Sequence, residues 1–175
     1  PPGAPIWSLK VLSAAGQGTT TGVIDALNWV VENGRANNIR VVNLSLSGPR
    51  SRMMCDAIKE VVAKGITVVA AAGNNGMEIS RGSPSDCTAA LVVTAMGDYD
   101  GKPGGRTQPP KGNGAPTTPD DTAASFSNYA LARSSRVLAA PGVHVLSTVP
   151  AATCGALKCA KAGPYARLSG TSMAA

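Results

Sequence analysis

The stretch RMMCDAIKEVVAKGITVVAAAG, residues 52–73, decides the fold class. In its first half, apolar residues recur at the spacing of one helical face, at Met54, Ala57, Ile58, Val61 and Val62. A helix over 52–65 would end at Gly65. The second half, residues 66–73, is almost continuously apolar and predicts a buried strand. A helix joined directly to a buried strand is typical of α/β proteins.

The same alternation continues in both directions along the chain. The remaining apolar patterns predict a helix at 19–34 and strands at 6–13, 41–47, 91–96, 136–149 (broken at Pro141–Gly142) and 165–170. Thr19, Thr20 and Thr21 offer hydroxyls to cap the first of these helices. Strands that alternate with helices predict a mostly parallel sheet with helices on its faces.

Composition limits the classes of function. The chain has 175 residues, 43% of them apolar, which is enough for one domain with a core. No segment is apolar over the length of a membrane span. The net charge is +6, but Lys and Arg are scattered singly, which argues against a surface for nucleic acid.

Residues 97–122 are rich in Gly and Pro, and we expect them to form a flexible surface insertion. Within this segment, DYDG (98–101) resembles the start of a calcium loop. The later ligands and the glycine at the sixth position are missing, so calcium binding is not expected there.

The cysteines, Cys55, Cys87, Cys154 and Cys159, allow two disulfides in three different pairings. No CxxC motif occurs, and the single histidine, His144, is distant in sequence from all four cysteines. A zinc site is therefore not expected.

Three predicted strand ends carry polar residues, and these ends meet at one edge of a parallel sheet. NLSLSG (43–48) could pair with an extended peptide, and AAAGNNG (70–76) could aim the Asn74 amide into a cleft. In LSGTSMAA (168–175), Ser172 lies at the start of a helix, where a nucleophile can share its own N–H with a developing oxyanion. Taken singly, each end is better explained as an ordinary turn or helix cap.

Taken together and in order, the motifs resemble those of the subtilisin-like serine proteases. LSGTSMAA is similar to the nucleophile motif of that family, VVAAAGNNG to its oxyanion segment and VVNLSLSGP to its substrate-pocket strand. SFSNYA (125–130), APGVHVLST (140–148) and the segment KVLSAAGQGTTTGVIDALNWV are similar to further family motifs. The resemblance implies a subtilisin-like three-layer α/β fold, and we expect it to be incomplete at both ends.

The resemblance also implies roles for individual residues. Ser172 is implied to be the nucleophile, and Asn74, together with the Ser172 N–H, to bind the oxyanion. The implied substrate-binding residues are Gly16, Gln17, Gly18, Ser45, Leu46, Ser47, Ala71, Ala72 and Gly73, with Val23 and Leu46 in a more distant apolar pocket. Ser47 stands where the family usually has Gly, which predicts a smaller or more polar pocket.

Two members of the family triad are not found in this sequence. The family order is Asp, His, Ser, but the chain has no Asp-Ser-Gly and no His-Gly-Thr motif. His144, in PGVHVLST, is not where the family keeps its base, and we expect it in a surface loop. We therefore interpret residues 1–175 as part of a catalytic domain, with the Asp and His upstream and the helix after Ser172 cut short. This part alone is expected to be inactive.

Two other classes of function are considered. One is a peptide-binding relative whose triad has decayed, and it is distinguished by the residues at the upstream Asp and His positions. The other is a nucleotide-binding domain that uses GQGTTTG or AAGNNG as a phosphate loop, but neither segment fits GxGxxG or GxxxxGK[ST].

Further properties follow from the resemblance alone. It implies a Cys55–Cys87 disulfide, which leaves Cys154 to pair with Cys159, against the alternative of four free thiols in a cytosolic protein. It implies a secreted, monomeric endopeptidase that acts on polypeptides without a cofactor, nucleic acid or membrane. Family calcium sites are expected to be absent or impaired, since Val137 stands near a position where the family often has Asp. Carbonyls at 84–90 could still bind calcium weakly, and a structural calcium in the complete protein is left open.

Overall fold

A parallel sheet with two helices organises the protein. The computed structural model describes residues 3–111, 117–132, 134–157, 159 and 163–175. The helices are α1 (Thr20–Asn33), α2 (Arg52–Ala63), α3 (Cys154–Leu157) and α4 (Thr171–Ala174). The strands are β1 (Val41–Leu44), β2 (Thr67–Ala71), β3 (Leu91–Gly97), β4 (Thr122–Ala123), β5 (Val137–Pro141), β6 (Val145–Thr148) and β7 (Tyr165–Leu168).

Strands β1, β2, β3 and β5 run parallel and lie side by side in that order. The short strand β4 pairs with the end of β3 in the antiparallel direction, and β6 and β7 form a separate antiparallel pair. Because β1 and β2 are parallel neighbours, the loops that follow them leave the sheet at the same edge. The predicted α/β fold is thus confirmed.

Capping and one-sided burial explain the two long helices. Thr19 accepts a hydrogen bond from the Gly22 N–H at the start of α1, and Ser51 accepts one from the Met54 N–H at the start of α2. Their buried residues, Val23, Leu27 and Val30 in α1 and Met54, Ala57, Ile58 and Val61 in α2, recur at helical spacing and form one core with β1 and β2.

The prediction of a strand over residues 6–13 is wrong. The structure has no strand there, because no neighbouring strand among the described residues supplies hydrogen-bond partners. Ile6 is 89% exposed, and Trp7 contacts Trp29 with 5.9 Å between ring centroids. An apolar groove of about 680 Å³ separates this segment from β1, whose partner in the described part of the chain is β2 alone.

One buried carboxylate connects distant parts of the segment after β3. Asp120 is 3% exposed and accepts hydrogen bonds from the Tyr99 and Thr107 N–H groups. The carboxylates of Asp98, Asp120 and Asp121 lie within 4.8 Å of one another. Each already accepts backbone N–H groups of its own loop. The flexibility of 97–122 and the weakness of calcium binding stay predictions, and residues 112–116 lie outside the described part.

Both predicted disulfides are present. Cys55 of α2 bonds to Cys87, with 4.9 Å between Cα atoms and a sequence separation of 32 residues. Cys154 bonds to Cys159 across a separation of 5 residues. In the described part of the chain, no helix combines the length and apolar character that crossing a membrane requires.

The two disulfides are expected to differ in their effect on stability. In the complete protein, replacing Cys55 and Cys87 together by Ser should lower the free energy of unfolding by about 3–4 kcal/mol, because the bond closes a long loop and Cys87 packs in the core. The matched control, Cys154→Ser with Cys159→Ser, removes a bond that closes a much shorter loop between two half-buried cysteines, and it should cost about 2 kcal/mol or less. Denaturant unfolding measures both, and a larger loss in the control would contradict the expectation.

Candidate active site

One cleft of about 510 Å³ at the carboxyl ends of β1 and β2 brings most of the predicted site residues together. Those that line it are Gly16, Gln17, Gly18, Val23, Ser45, Leu46, Ser47, Ala71, Gly73, Asn74 and Ser172. Further lining residues, for which no role in a functional site is predicted, are Leu12, Thr19, Thr20, Gly48, Pro49, Met54 and Thr171. All of these described residues are uncharged. The arrangement unites four separate segments of sequence, 12–23, 45–54, 71–74 and 171–172, while the substrate-binding roles stay predictions.

Ala72 departs from its predicted placement. It does not line the cleft and is 1% exposed, packed with Ile79 and Val92 instead. Successive residues of an extended chain point to opposite faces. Ala71 and Gly73 therefore face the cleft, and the side chain of Ala72 faces the core behind it.

The orientation of the Asn74 side chain is fixed by Thr171. Asn74 Oδ1 accepts a hydrogen bond from the Thr171 N–H at 2.8 Å and another from Thr171 Oγ1 at 2.9 Å. Thr171 Oγ1 in turn accepts the Gly73 N–H at 3.0 Å. Because a backbone N–H can only donate, the carboxamide must present its oxygen to Thr171, and its NH₂ group faces the other way.

Thr171 was given no role by the sequence analysis, although it belongs to the quoted nucleophile motif. Thr171 is 0% exposed, and both its backbone N–H and its Oγ1 form hydrogen bonds. In the sequence, Thr171 is visible only as a hydroxyl residue between Gly170 and Ser172 at a predicted helix start. The sequence does not show that its hydrogen-bond partners, Gly73 and Asn74, lie 98 and 97 residues away.

Ser172 is the second residue of α4, and its backbone N–H is one of the first in that helix. Such groups have no acceptor within their own helix and are free to bind another group. The Ser172 hydroxyl donates to the Ser45 carbonyl at 3.4 Å, and Ser45 Oγ donates to the Ser172 carbonyl at 3.0 Å. This reciprocal pair holds the start of α4 against the end of β1.

Two nitrogen atoms that carry hydrogen-bond donors lie close to Gly170. A Cβ atom built on Gly170 would lie 3.4 Å from Asn74 Nδ2 and 3.7 Å from the Ser172 backbone nitrogen. One position is therefore within reach of both donors, and it adjoins the residue that bears the hydroxyl. Two converging donors of this kind can stabilise negative charge on an oxygen.

The turn between β5 and β6 supports the start of α4 from behind. Gly170 donates its N–H to the Gly142 carbonyl at 2.8 Å. A Cβ atom on Gly142 would lie 2.6 Å from the Ala95 Cβ and 2.9 Å from the Gly170 carbonyl oxygen, so a larger residue would push the turn away. The glycine of the APG motif thus lets the two backbones approach each other closely.

His144 lies on the same turn, as the sequence predicted, and is half-buried. Its backbone N–H donates to Ser169 Oγ at 2.9 Å, and its Nδ1 is buried without a partner in the described structure. Burial, reinforced by the charge of Arg167, lowers the pKa of the His144 imidazole. No hydrogen bond in the described part of the chain joins it to Ser172, and its lack of a catalytic role stays a prediction.

Comparisons with known proteins give concordant results. The profile of the subtilase family matches residues 1–175. Subtilisin-like protease 3 of Arthroderma benhamiae is 34% identical over 174 residues, which are 98% of this chain and 35% of that protein. A cuticle-degrading serine protease of Arthrobotrys oligospora is 39% identical over 93 residues, 53% of this chain and 22% of that protein.

A solved structure agrees with this result. The crystal structure of a cold-adapted subtilisin-like serine proteinase superposes with a TM-score of 0.67 at 31% identity, and the match covers 94% of this chain and 47% of that one. The chain thus spans between about a fifth and a half of the relatives named here. Its fold, its cleft and its sequence together place this chain in the subtilase family.

Proposed function

We propose that this chain is the nucleophile-bearing part of a serine endopeptidase, which hydrolyses peptide bonds through an acyl-enzyme. The observation that carries the proposal is that Asn74 Nδ2 and the Ser172 backbone nitrogen both lie within 3.7 Å of one position beside Gly170. Such a pair of donors suits the negatively charged oxygen of a tetrahedral intermediate. Since no cationic side chain lines the described part of the cleft, these neutral donors would stabilise that negative charge.

The proposed reaction begins with attack of Ser172 Oγ on the substrate carbonyl carbon, while the hydroxyl proton passes to a general base. The carbonyl oxygen becomes negatively charged and accepts hydrogen bonds from Asn74 Nδ2 and the Ser172 N–H. When the carbonyl re-forms, the C–N bond breaks, and the amine leaves with the proton from the base. Water then hydrolyses the acyl ester by the same steps and restores the Ser172 hydroxyl.

The base and its orienting acid are proposed to lie in the part of the complete protein outside these 175 residues, as the family order implies. Ser172 Oγ donates here to the Ser45 carbonyl, which cannot take up its proton. Residues 1–175 alone are therefore proposed to be inactive. The same contact supports the second candidate, a peptide-binding relative without catalysis, in which the complete protein also lacks a base.

The wider setting of the proposed enzyme follows from the same features. Its substrates are polypeptides that bind extended along Gly16–Gly18 and Ser45–Ser47, two of the segments that line the cleft. The two disulfides support a location outside the cytoplasm. We propose a monomer that needs no cofactor for the chemistry, and a structural calcium in the complete protein is left open.

Covalent labelling tests the proposal directly. The complete protein should react with a fluorophosphonate at Ser172 and hydrolyse a peptide anilide, and Ser172→Ala should abolish both activities. Ser147→Ala, an exposed serine of β6, is the matched control and should label normally. Labelling that persists in Ser172→Ala would show that the nucleophile is misassigned. A complete protein that binds peptides but neither labels nor cleaves would favour the second candidate.

Gly170→Ala separates folding from catalysis. The added methyl group would lie no closer than 3.4 Å to its nearest neighbours, so the fold should be retained, but it would occupy the space in front of both donors. We expect kcat of the complete protein to fall by roughly tenfold or more at a nearly unchanged melting temperature. Gly155→Ala, where a Cβ meets nothing within 4 Å, should leave kcat unchanged. Equal activity in the two variants would contradict the proposed position of the oxyanion.

A further inference from the structure

We infer that Asn128 is a positioning residue for Asn74, acting through the loop 73–77, and the inference rests on the proposed function. Asn128 belongs to the SFSNYA segment, for which neither the cleft nor the proposed reaction supplies a role. It is 7% exposed and does not line the cleft. Any effect of Asn128 on catalysis must therefore pass through other residues.

Asn128 binds the backbone on both sides of Asn74. Its Nδ2 donates to the Ala72 carbonyl at 2.9 Å, and its own N–H donates to the Gly73 carbonyl at 2.9 Å. Its Oδ1 accepts the Asn75 N–H and the Met77 N–H, both at 3.0 Å. A single side chain and its backbone N–H thus satisfy four backbone groups that flank Asn74.

The shape of the loop is adapted to this side chain. Gly73 has φ +102°, a conformation that other residues rarely adopt, and a Cβ there would lie 2.4 Å from Asn128 Nδ2. The Asn128 carboxamide therefore occupies the space beside Gly73 that any other side chain would need. The glycine before Asn74 and the asparagine that contacts it form one unit.

Asn128 is itself held by the sheet. Ser127 Oγ accepts the Ala95 N–H of β3 at 2.9 Å and donates to the Asn128 carbonyl at 2.9 Å, and Ser127 is 6% exposed. The rigid strand thus connects through Ser127 and Asn128 to the loop. On the opposite side, Thr171 binds the Asn74 carboxamide. Thr171 therefore holds the side chain of Asn74, and Asn128 holds the backbone on either side of it.

The inference predicts a specific kinetic pattern in the complete protein. Asn128→Ala would release the loop and leave the Asn75 and Met77 N–H groups without their acceptor, so the Asn74 amide would lose its alignment. The substrate is a peptide anilide, and kcat is expressed per active site, as counted by titration with a fluorophosphonate. We expect kcat to fall about tenfold or more while KM changes less than about twofold. Asn128→Asp keeps the oxygen that accepts the Asn75 and Met77 N–H groups but sets a second oxygen against the Ala72 carbonyl. It should also lower kcat, and it provides the measurement if the Ala variant does not fold.

A double-mutant cycle separates positioning from general destabilisation. In an Asn74→Ala background, Asn128→Ala should lower kcat no further, because the residue through which it acts is gone. Val61→Ala, in the α2 core and remote from the cleft, is the control for lost stability and should lower the melting temperature while leaving kcat per titrated site unchanged.

Two results would overturn the inference alone. One is Ser172-dependent hydrolysis with kcat per titrated site unchanged in the Asn128 variants. The other is a loss of kcat on Asn128→Ala that is equally large in the unsubstituted protein and in the Asn74→Ala background. An unsubstituted complete protein without Ser172-dependent hydrolysis would instead overturn the proposed function, and this inference with it.

Discussion

The hydrogen bonds between Thr171 and the Asn74 carboxamide are the constraint on which the site depends. They join the loop after β2 to the start of α4, which lies 97 residues later in the sequence. Since the Thr171 N–H is only a donor, it fixes which end of the Asn74 amide faces the cleft. Thr171 directly precedes Ser172, whose N–H is the second donor near Gly170, so the threonine that orients Asn74 also adjoins the other donor.

The rest of the fold keeps these two segments from moving apart. Parallel pairing places the ends of β1 and β2 at one edge of the sheet, where Ser45 and Ser172 exchange hydrogen bonds. The β5–β6 turn packs its Gly142 backbone directly against Gly170. Donors that are held in place before the substrate arrives need no reorganisation during the reaction, which is the physical basis of oxyanion stabilisation.

Sequence reasoning succeeded where the information is local or carried by a motif. Helical periodicity predicted α1 and α2 because their buried residues share one face, and the motifs placed Asn74 and Ser172 in one cleft. It failed at residues 6–13, since a strand forms only with a partner and none is present among the described residues. The importance of Thr171 and Asn128 was not visible in the sequence, because it resides in hydrogen bonds to segments that are distant along the chain.

The central claim is that Asn74 Nδ2 and the Ser172 N–H bind one oxygen of the reacting group. A crystal structure of the complete protein, inhibited by a phosphonate on Ser172 Oγ, measures this directly because the phosphoryl oxygen takes the place of the oxyanion. We expect this oxygen within about 2.7–3.1 Å of both nitrogen atoms. A phosphoryl oxygen that points to solvent, or that binds other donors while Asn74 Nδ2 faces away, would contradict it.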